Sequence, residues 1–194
     1  MRAEHPVQQW EVDGEVHVDG FVLDAVVRLD AYANLPGFEG ATPDLVSAVL
    51  EEGGKFAAEV MAPLNQIGDA QGCTRHADGS VTTPDGFKAA YEQFVAAGWP
   101  TLHAPTEFGG QGLPSAVATA IGEYFCSANH SFEMYHGLTT GAINSLLVKG
   151  TPEQQATYLP KMVEGTWTGT MNLTEPHCGT DLGLIKTKAV PNTD

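Results

Sequence analysis

The sequence has few basic residues and few cysteines. Only 9 Lys and Arg stand against 24 Asp and Glu, which gives a formal net charge of -15 at pH 7. A field of that sign repels the phosphates of nucleic acids and of anionic lipid headgroups, so we expect neither nucleic acid nor a membrane surface as a partner. The three cysteines, Cys73, Cys126 and Cys178, are an odd number without a CxxC pair, and no disulfide framework is predicted.

Long apolar runs are also absent. No window of ~18 apolar residues is available to cross a bilayer, and the first twenty residues resemble neither a signal peptide nor a transit segment. We therefore expect a cytoplasmic protein. The composition, with 42% hydrophobic and 17% charged residues, is that of a folded globular chain, and 194 residues suffice for one large domain or for one domain and part of a second.

Most of the chain shows the three-and-four spacing of apolar residues that is typical of amphipathic helices. Thr42, Thr83, Ser115 and Thr151 are predicted to cap helices, and TPEQ at Thr151 to Gln154 is a capping box with proline at the first helical position. The predicted helices cover residues 21–29, 43–65, 84–97, 115–129, 135–149 and 152–164. A kink is expected at Pro160.

The pattern changes to one typical of strands after the last helix. TWTGTMNL alternates and is rich in Thr, Trp and Met, which predicts a strand over about residues 167–173, and the final ten residues resemble the start of a second strand. A hairpin around Asp13-Gly14 is a further expectation. We predict a mainly α fold divided into an extension (1–37), a helical domain (38–166) and the beginning of a truncated β domain (167–194).

The segment MNLTEPHCGTDLG, residues 171–183, follows the predicted strand and concentrates groups that bind ligands. Pro176 favours an extended Glu175, Gly179 allows a turn whose amides bind anions, and Thr174 and Thr180 supply hydroxyls. Such a strand end could hold a ring at one side and a phosphate at the other. On the pattern alone, a simple turn between two strands, capped by the two threonines, is the commoner reading.

Three segments in order resemble the acyl-CoA dehydrogenase family. TEPxxGTD is similar to the TEPxxGSD segment of that family, and EFGGQG (107–112) and EQQATYLPKMVEG (153–165) also match its pattern. The resemblance covers roughly residue 38 to the end. Within the family, LPGFEGATPDLVSAVLEEGGKFAAEV looks similar to the early segment of the methylthiopropanoyl-CoA dehydrogenase subgroup.

The resemblance implies that this segment binds FAD through Met171, Asn172, Leu173, Thr174, Gly179 and Thr180. Thr174 would hydrogen-bond the flavin ring, Leu173 would pack on it, and Gly179 and Thr180 would meet the pyrophosphate, with Thr180 also reaching the acyl-CoA substrate. The sequence departs from the family pattern at Met171, where many relatives have an aromatic residue. It departs again at His177 and Cys178, which are bulkier than usual.

The resemblance also implies the reaction, the α,β-dehydrogenation of an acyl-CoA with a Glu as general base. That Glu lies beyond residue 194 in the family, so no catalytic residue is predicted here, and Glu123, Glu133 and Glu175 are poor candidates. A homo-oligomer and an electron-transfer flavoprotein are the expected partners of the complete enzyme. No metal site is predicted, because His130 and His136 are poorly spaced and no Cys or acid completes a set.

Other functions stay open on the sequence alone. The chain could be an inactive, stand-alone helical interaction module, or a fragment of an acyl-CoA oxidase, which uses the same flavin with oxygen as acceptor. Gly109 to Gly112, GGQG, lacks the Lys-Ser/Thr ending of a phosphate-binding loop and is interpreted as a turn between helices.

Overall fold

The structure is a computed structural model and describes residues 11–12, 15–16 and 18–192. Two short antiparallel strands come first, β1 (Glu11–Val12) and β2 (Glu15–Val16). They are the strands of the predicted hairpin, whose Asp13-Gly14 turn lies outside the described residues. A second antiparallel pair, β3 (Thr74–Arg75) with β4 (Val81–Thr82), follows the third helix.

Helices form most of the described chain, which confirms the predicted fold class. They are α1 (Val18–Phe21), α2 (Pro43–Phe56), α3 (Ala62–Gln71), α4 (Phe87–Ala96), α5 (Ser115–Lys149) and α6 (Pro152–Val163). Two π-helical turns, Val22–Val26 and Ala57–Met61, extend α1 and join α2 to α3. Short 3-10 turns lie at Leu29–Tyr32, Trp99–Thr101, Thr106–Phe108 and Leu182–Leu184.

Two of the predicted helix starts are confirmed by their caps. The Thr42 hydroxyl accepts a hydrogen bond from the Leu45 N–H at 3.3 Å, with Pro43 at the first helical position. At α6 the capping box is complete, because the Thr151 hydroxyl accepts from the Gln154 N–H (3.3 Å) and the Gln154 side chain accepts from the Thr151 N–H (2.9 Å). Each cap satisfies backbone donors that have no partner within the helix.

The other two predicted caps are wrong. Helix α4 begins at Phe87 instead of Pro84, because Gly86 takes a left-handed φ of 84° and separates the Thr83-Pro84 turn from the helix. Ser115 is the first residue of α5 and does not cap it; Pro114 precedes the helix and offers no side-chain acceptor.

The region before α2 also differs from its prediction. The helical run begins at Val18 and ends at Val26, and Arg28 with φ 57° separates it from the 3-10 turn at Leu29–Tyr32, so the predicted helix 21–29 is wrong at both ends. Leu23 and Leu29 are buried in the same core as α2. The boundaries drawn at residues 37 and 166 stay predictions.

Helix α5 replaces the two helices predicted at 115–129 and 135–149. It is continuous except at Asn129, whose φ of -161° and ψ of 88° are not helical. The buried Asn129 side chain caps the second half of the helix, since its Oδ1 accepts from the Phe132 N–H at 3.1 Å. Its Nδ2 donates to the Met61 carbonyl at 3.2 Å, which ties the break to the π-helical turn opposite.

Two hydrophobic clusters form the core. The larger one lies between α2, α3, α4 and the first half of α5, and its aromatic centre is Phe94, whose ring is within about 6 Å of the rings of Phe56, Phe125 and Phe132. The smaller cluster joins α5 to α6 through Ile143, Leu159, Met162, Val163 and Ala104. Burying one such large side chain stabilises the fold by about 1.5–3 kcal/mol.

The predicted β region is wrong as regular structure. Residues 167–173 form no strand, and residues 185–192 form none either. Strand propensity is realised only when a partner strand is present, and none of the described residues supplies one. None of the helices in the described part of the chain has both the length and the hydropathy that a bilayer crossing requires.

Candidate functional site

The segment that leads to the candidate site is fastened first to α6. The backbone N–H groups of Thr166 and Trp167 both donate to the Lys161 carbonyl, at 3.1 and 3.0 Å. The Lys161 ammonium lies 4.3 Å from the centre of the Trp167 ring, and Tyr158 packs against the same ring with centroids 6.0 Å apart. The chain therefore leaves α6 in a fixed direction, without the support of a sheet.

The segment is fastened a second time on α5. The Gly169 N–H donates to the Thr139 hydroxyl at 3.1 Å, and that hydroxyl in turn donates to the Tyr135 carbonyl of its own helix. A Cβ at position 169 would lie 2.5 Å from the Ala142 Cβ, so only glycine lets the backbone approach this closely. Residues 170–174 therefore follow a point of the backbone that is fixed to the second half of α5.

The four residues predicted to meet the flavin ring are exposed. Met171 and Leu173 expose 66% and 42% of their surface, and Asn172 and Thr174 are exposed as well. The Asn172 side chain donates to the Thr170 hydroxyl at 3.2 Å. Within the described residues the Thr174 hydroxyl has no hydrogen-bond partner, and its capacity to donate and accept is available to a ligand.

A tight turn follows Thr174. Glu175 and Cys178 exchange two backbone hydrogen bonds of 3.0 and 3.1 Å, with Pro176 and His177 at the tip. The Glu175 carboxylate accepts hydrogen bonds from the Thr187 hydroxyl, which lowers the pKa of this carboxyl most, and from the backbone N–H groups of Lys186 and Thr187. These bonds close the chain from 175 to 187 into a loop and turn the acid back toward its own backbone.

The predicted anion-binding turn at Gly179 is not observed in the expected form. Gly179 has no positive φ, and a Cβ built on it would meet nothing within 4 Å, so the backbone here does not require glycine. Thr180 is exposed and its hydroxyl has no partner among the described residues, while the Asp181 side chain accepts from the Gly183 N–H at 3.1 Å. Thr174 and Thr180 thus lie on the two sides of the Glu175–Cys178 turn.

A groove of about 530 Å³ that was not predicted from the sequence runs along α5. Its walls are apolar at Trp99, Ile121 and Phe125 and also carry Cys126, Glu133, His103 and His136. Burial raises the pKa of the Glu133 carboxyl and, with His103 nearby, lowers the pKa of His136 to about 4. Cys126, Glu133 and Thr140 recur every seven residues, and this spacing on one helix face was the signal available in the sequence.

Glu133, which was rejected as a general base on the sequence, is a half-buried carboxyl in this groove with a raised pKa. Its pKa is raised by burial, and this is opposed by His130 and by a hydrogen bond with the Cys126 thiol. Perturbed carboxyls of this kind are common both at functional sites and in structural networks. None of residues 171–180 lines the groove in which Glu133 lies.

Comparison with known proteins gives the family. The model for the acyl-CoA dehydrogenase N-terminal domain matches residues 47–166, which is more than half of the chain. The 3-methylmercaptopropionyl-CoA dehydrogenase of Ruegeria pomeroyi is 48% identical over 151 residues, covering 78% of this chain and 26% of the relative, in line with the predicted subgroup.

Solved structures agree on the fold. Butyryl-CoA dehydrogenase from Megasphaera elsdenii superposes with a TM-score of 0.65 at 22% identity, over 78% of this chain and 37% of that one. An acyl-CoA dehydrogenase from Bacillus anthracis complexed with FAD gives 0.58 at 23% identity, over 73% of this chain and 22% of that one. The chain thus spans between 22% and 37% of these relatives. The predicted resemblance is confirmed: the chain belongs to the acyl-CoA dehydrogenase family, as an N-terminal domain with the segment that follows it.

Proposed function

We propose that this chain is the N-terminal portion of an FAD-dependent acyl-CoA dehydrogenase that converts an acyl-CoA thioester to its α,β-unsaturated product. One observation supports this most directly. In a chain of this family, the Gly169–Thr139 hydrogen bond fastens the backbone to α5 just before the segment from Met171 to Thr180, whose two threonine hydroxyls are exposed and have no hydrogen-bond partner among the described residues. Unused hydrogen-bonding groups on a fixed backbone are what a bound cofactor needs.

The residues fit FAD in their chemistry. Thr174 would donate to the edge of the flavin ring, where negative charge develops, while Leu173 and Met171 would cover the ring with apolar surface. Asn172 would line the same stretch. Gly179 offers open space above its backbone, where a diphosphate would approach, and Thr180 would bind the diphosphate or the substrate thioester. FAD would supply the acceptor for the substrate hydride.

The general base is proposed to lie outside this chain. Glu175 already accepts hydrogen bonds from three donors, and these hold it ionised with its oxygens turned to Lys186 and Thr187. Glu133 lines the groove on α5, and none of the residues of the proposed flavin-binding segment lines that groove. The acyl-CoA substrate, assembly into a homo-oligomer and an electron-transfer flavoprotein partner belong to the same proposal, and the cytoplasm stays the predicted location.

The test uses the whole protein that contains this chain, with an acyl-CoA series as substrate. Flavin content is measured by absorbance, and reduction is followed by bleaching of the flavin band. Thr174→Val and Thr180→Val remove one hydroxyl each and keep the shape of the side chain. Loss of a hydrogen bond to a charged group corresponds to about 1.5–3 kcal/mol, so we expect roughly a ten- to hundredfold fall in FAD affinity or kcat/KM.

Thr157→Val is the matched control, because its exposed hydroxyl bonds only within α6. It is expected to keep wild-type flavin content and activity. If all three variants behave alike, or if the wild-type protein binds FAD but reduces no flavin with any acyl-CoA, the proposal is wrong.

A second measurement concerns the 194-residue chain by itself. A cofactor site that has lost the surfaces contributed by other domains loses much of its binding energy, so we expect little or no flavin to be retained and no activity. Stoichiometric yellow protein obtained from this chain alone would contradict that expectation. Unaltered inertness of the whole protein toward acyl-CoA would favour a helical interaction module instead.

A further inference from the structure

Three side chains that bind metals come together at the turn after Thr174. A carboxylate oxygen of Glu175, a ring nitrogen of His177 and the Cys178 sulfur all lie within 4.8 Å of one another. The Glu175 Oε2 and His177 Nε2 atoms are 3.4 Å apart. No metal site is predicted from the sequence, in which His130 and His136 are poorly spaced and His177 and Cys178 stand out only as bulky departures from the family pattern.

The spacing fits a tetrahedral centre. With Zn–N and Zn–O bonds of about 2.0–2.1 Å and a Zn–S bond of about 2.3 Å, neighbouring ligand atoms are roughly 3.3–3.7 Å apart. The observed Glu175–His177 separation already falls in this range, and the sulfur needs to move by about an ångström at most. The set of one thiolate, one imidazole and one carboxylate also matches the ligand types that Zn²⁺ prefers.

The turn is rigid and its carboxylate is already oriented. Reciprocal backbone hydrogen bonds between Glu175 and Cys178 fix the two ends, and Pro176 restricts the backbone between them. The Thr187 hydroxyl and the N–H groups of Lys186 and Thr187 hold the Glu175 carboxylate, as the outer partners of metal ligands do. A net charge of -15 further favours a cation.

One contact competes with the metal. His177 Nε2 lies 2.9 Å from the Leu184 carbonyl, and this bond would be given up when Nε2 coordinates a cation. Leu184 exposes 51% of its surface, so water can take over its carbonyl. Cys178 is 8% exposed, so its thiol is largely shielded from solvent.

We propose that the turn Glu175–Cys178 binds one Zn²⁺ or similar borderline divalent cation through Glu175, His177 and Cys178, with water in the fourth position. On binding, a Zn–S bond forms and the thiol proton leaves to solvent. The metal would lock the loop between Thr174 and Thr180. The proposal does not rest on the proposed flavoenzyme activity, because the three metal ligands are other residues than those assigned to FAD and metal binding is measured without FAD.

The experiment titrates the whole protein, freed of metal by a chelator, with Co²⁺ as the spectroscopic probe and then with Zn²⁺ alone. A Co²⁺–thiolate bond produces a charge-transfer band in the near ultraviolet, which Zn²⁺ displaces. We expect one equivalent of the band in the wild-type protein and no band in Cys178→Ser. His177→Gln is expected to weaken Zn²⁺ binding at least about tenfold, and Thr187→Val by roughly ten- to hundredfold.

Matched controls are Cys73→Ser, Cys126→Ser and His130→Gln, which carry the same changes at residues away from the turn. They are expected to keep the wild-type titration. Far-UV circular dichroism identifies any variant that fails to fold. Glu175→Gln, which removes the charge of the third ligand, then replaces that variant in the titration. A band that survives in Cys178→Ser, or equal losses in the control variants, would overturn the proposal, as would the absence of any thiolate band in the wild-type protein.

Discussion

The break in α5 gives the sharpest prediction about stability. Asn129 exposes 1% of its surface and makes three hydrogen bonds: its Nδ2 donates to the Met61 carbonyl, and its Oδ1 accepts from the Phe132 N–H and the Ser131 hydroxyl. In Asn129→Ala the cap of the second half of α5 is lost and a buried backbone donor is left without this partner. The carbonyl of Met61, a fully buried residue, loses a partner as well.

The magnitude follows from these two losses. Removing an N-cap destabilises by about 1 kcal/mol, and depriving buried polar groups of a partner adds about 1–3 kcal/mol, so we expect a loss of roughly 3 kcal/mol. For a chain of this size that corresponds to a fall in Tm of about 6–12 °C. Urea and thermal unfolding, followed by far-UV circular dichroism, measure both quantities.

The control is Asn144→Ala, an exposed asparagine on the second half of the same helix. Its effect is expected to stay within about 0.5 kcal/mol, as for most surface substitutions. If Asn129→Ala loses less than about 1 kcal/mol, or no more than Asn144→Ala, then Asn129 does not hold α5 to the π-helical turn in the way described.

Two further predictions concern close packing and pH. Gly110→Ala brings a Cβ onto the Ala104 carbonyl, whereas the Cβ of Gly122→Ala on helix α5 meets nothing within 4 Å. In urea unfolding we expect the free energy of unfolding to fall by about 1–3 kcal/mol for Gly110→Ala and not to fall for Gly122→Ala. Equal free energies of unfolding for the two variants would refute the clash. His136 has a folded pKa of about 4, below its usual 6.5, so the unfolded chain binds the proton first and stability falls as pH drops from 6.5 toward 4. Burial raises the pKa of Glu133, and this makes the stability rise as pH drops. The free energy of unfolding is therefore measured against pH for both the wild type and His136→Gln, and the two curves are compared. Identical slopes between pH 6.5 and 4 would contradict the lowered pKa of His136.

Local chemistry made part of the fold predictable. Thr42 and Thr151 cap their helices because the signal, a hydroxyl followed by proline at the first helical position, is complete within four residues. Thr83 carried the same signal and failed, because Gly86, three residues later, takes a left-handed conformation that the pattern does not reveal. Gly53 lies inside α2, and a Cβ there would meet the side chains of Ile121 and Trp99, which come from distant parts of the chain that no local pattern reveals.

The candidate site was predicted as a segment, without its geometry. The letters TEPHCGTD directed the prediction to residues 174–181; the family model matches residues 47–166 and does not reach them, so the cofactor site stays a prediction. The strand predicted before them failed, because pairing depends on a partner that no local pattern can supply. The Glu175 bonds to Lys186 and Thr187, and the meeting of His177 with Cys178, depend on how the chain folds back and have no signature in spacing.

The hydroxyl of Thr139 has a mechanical consequence. It receives the Gly169 N–H and donates to Tyr135 on its own helix, so residues 170–174 follow a point that is fastened to the half of α5 after Asn129. A rotation of that half about the interruption at Asn129 would therefore displace Gly169 together with Thr139. The orientation of the exposed loop thus depends on the hydrogen bonds of a buried asparagine that is far away in sequence.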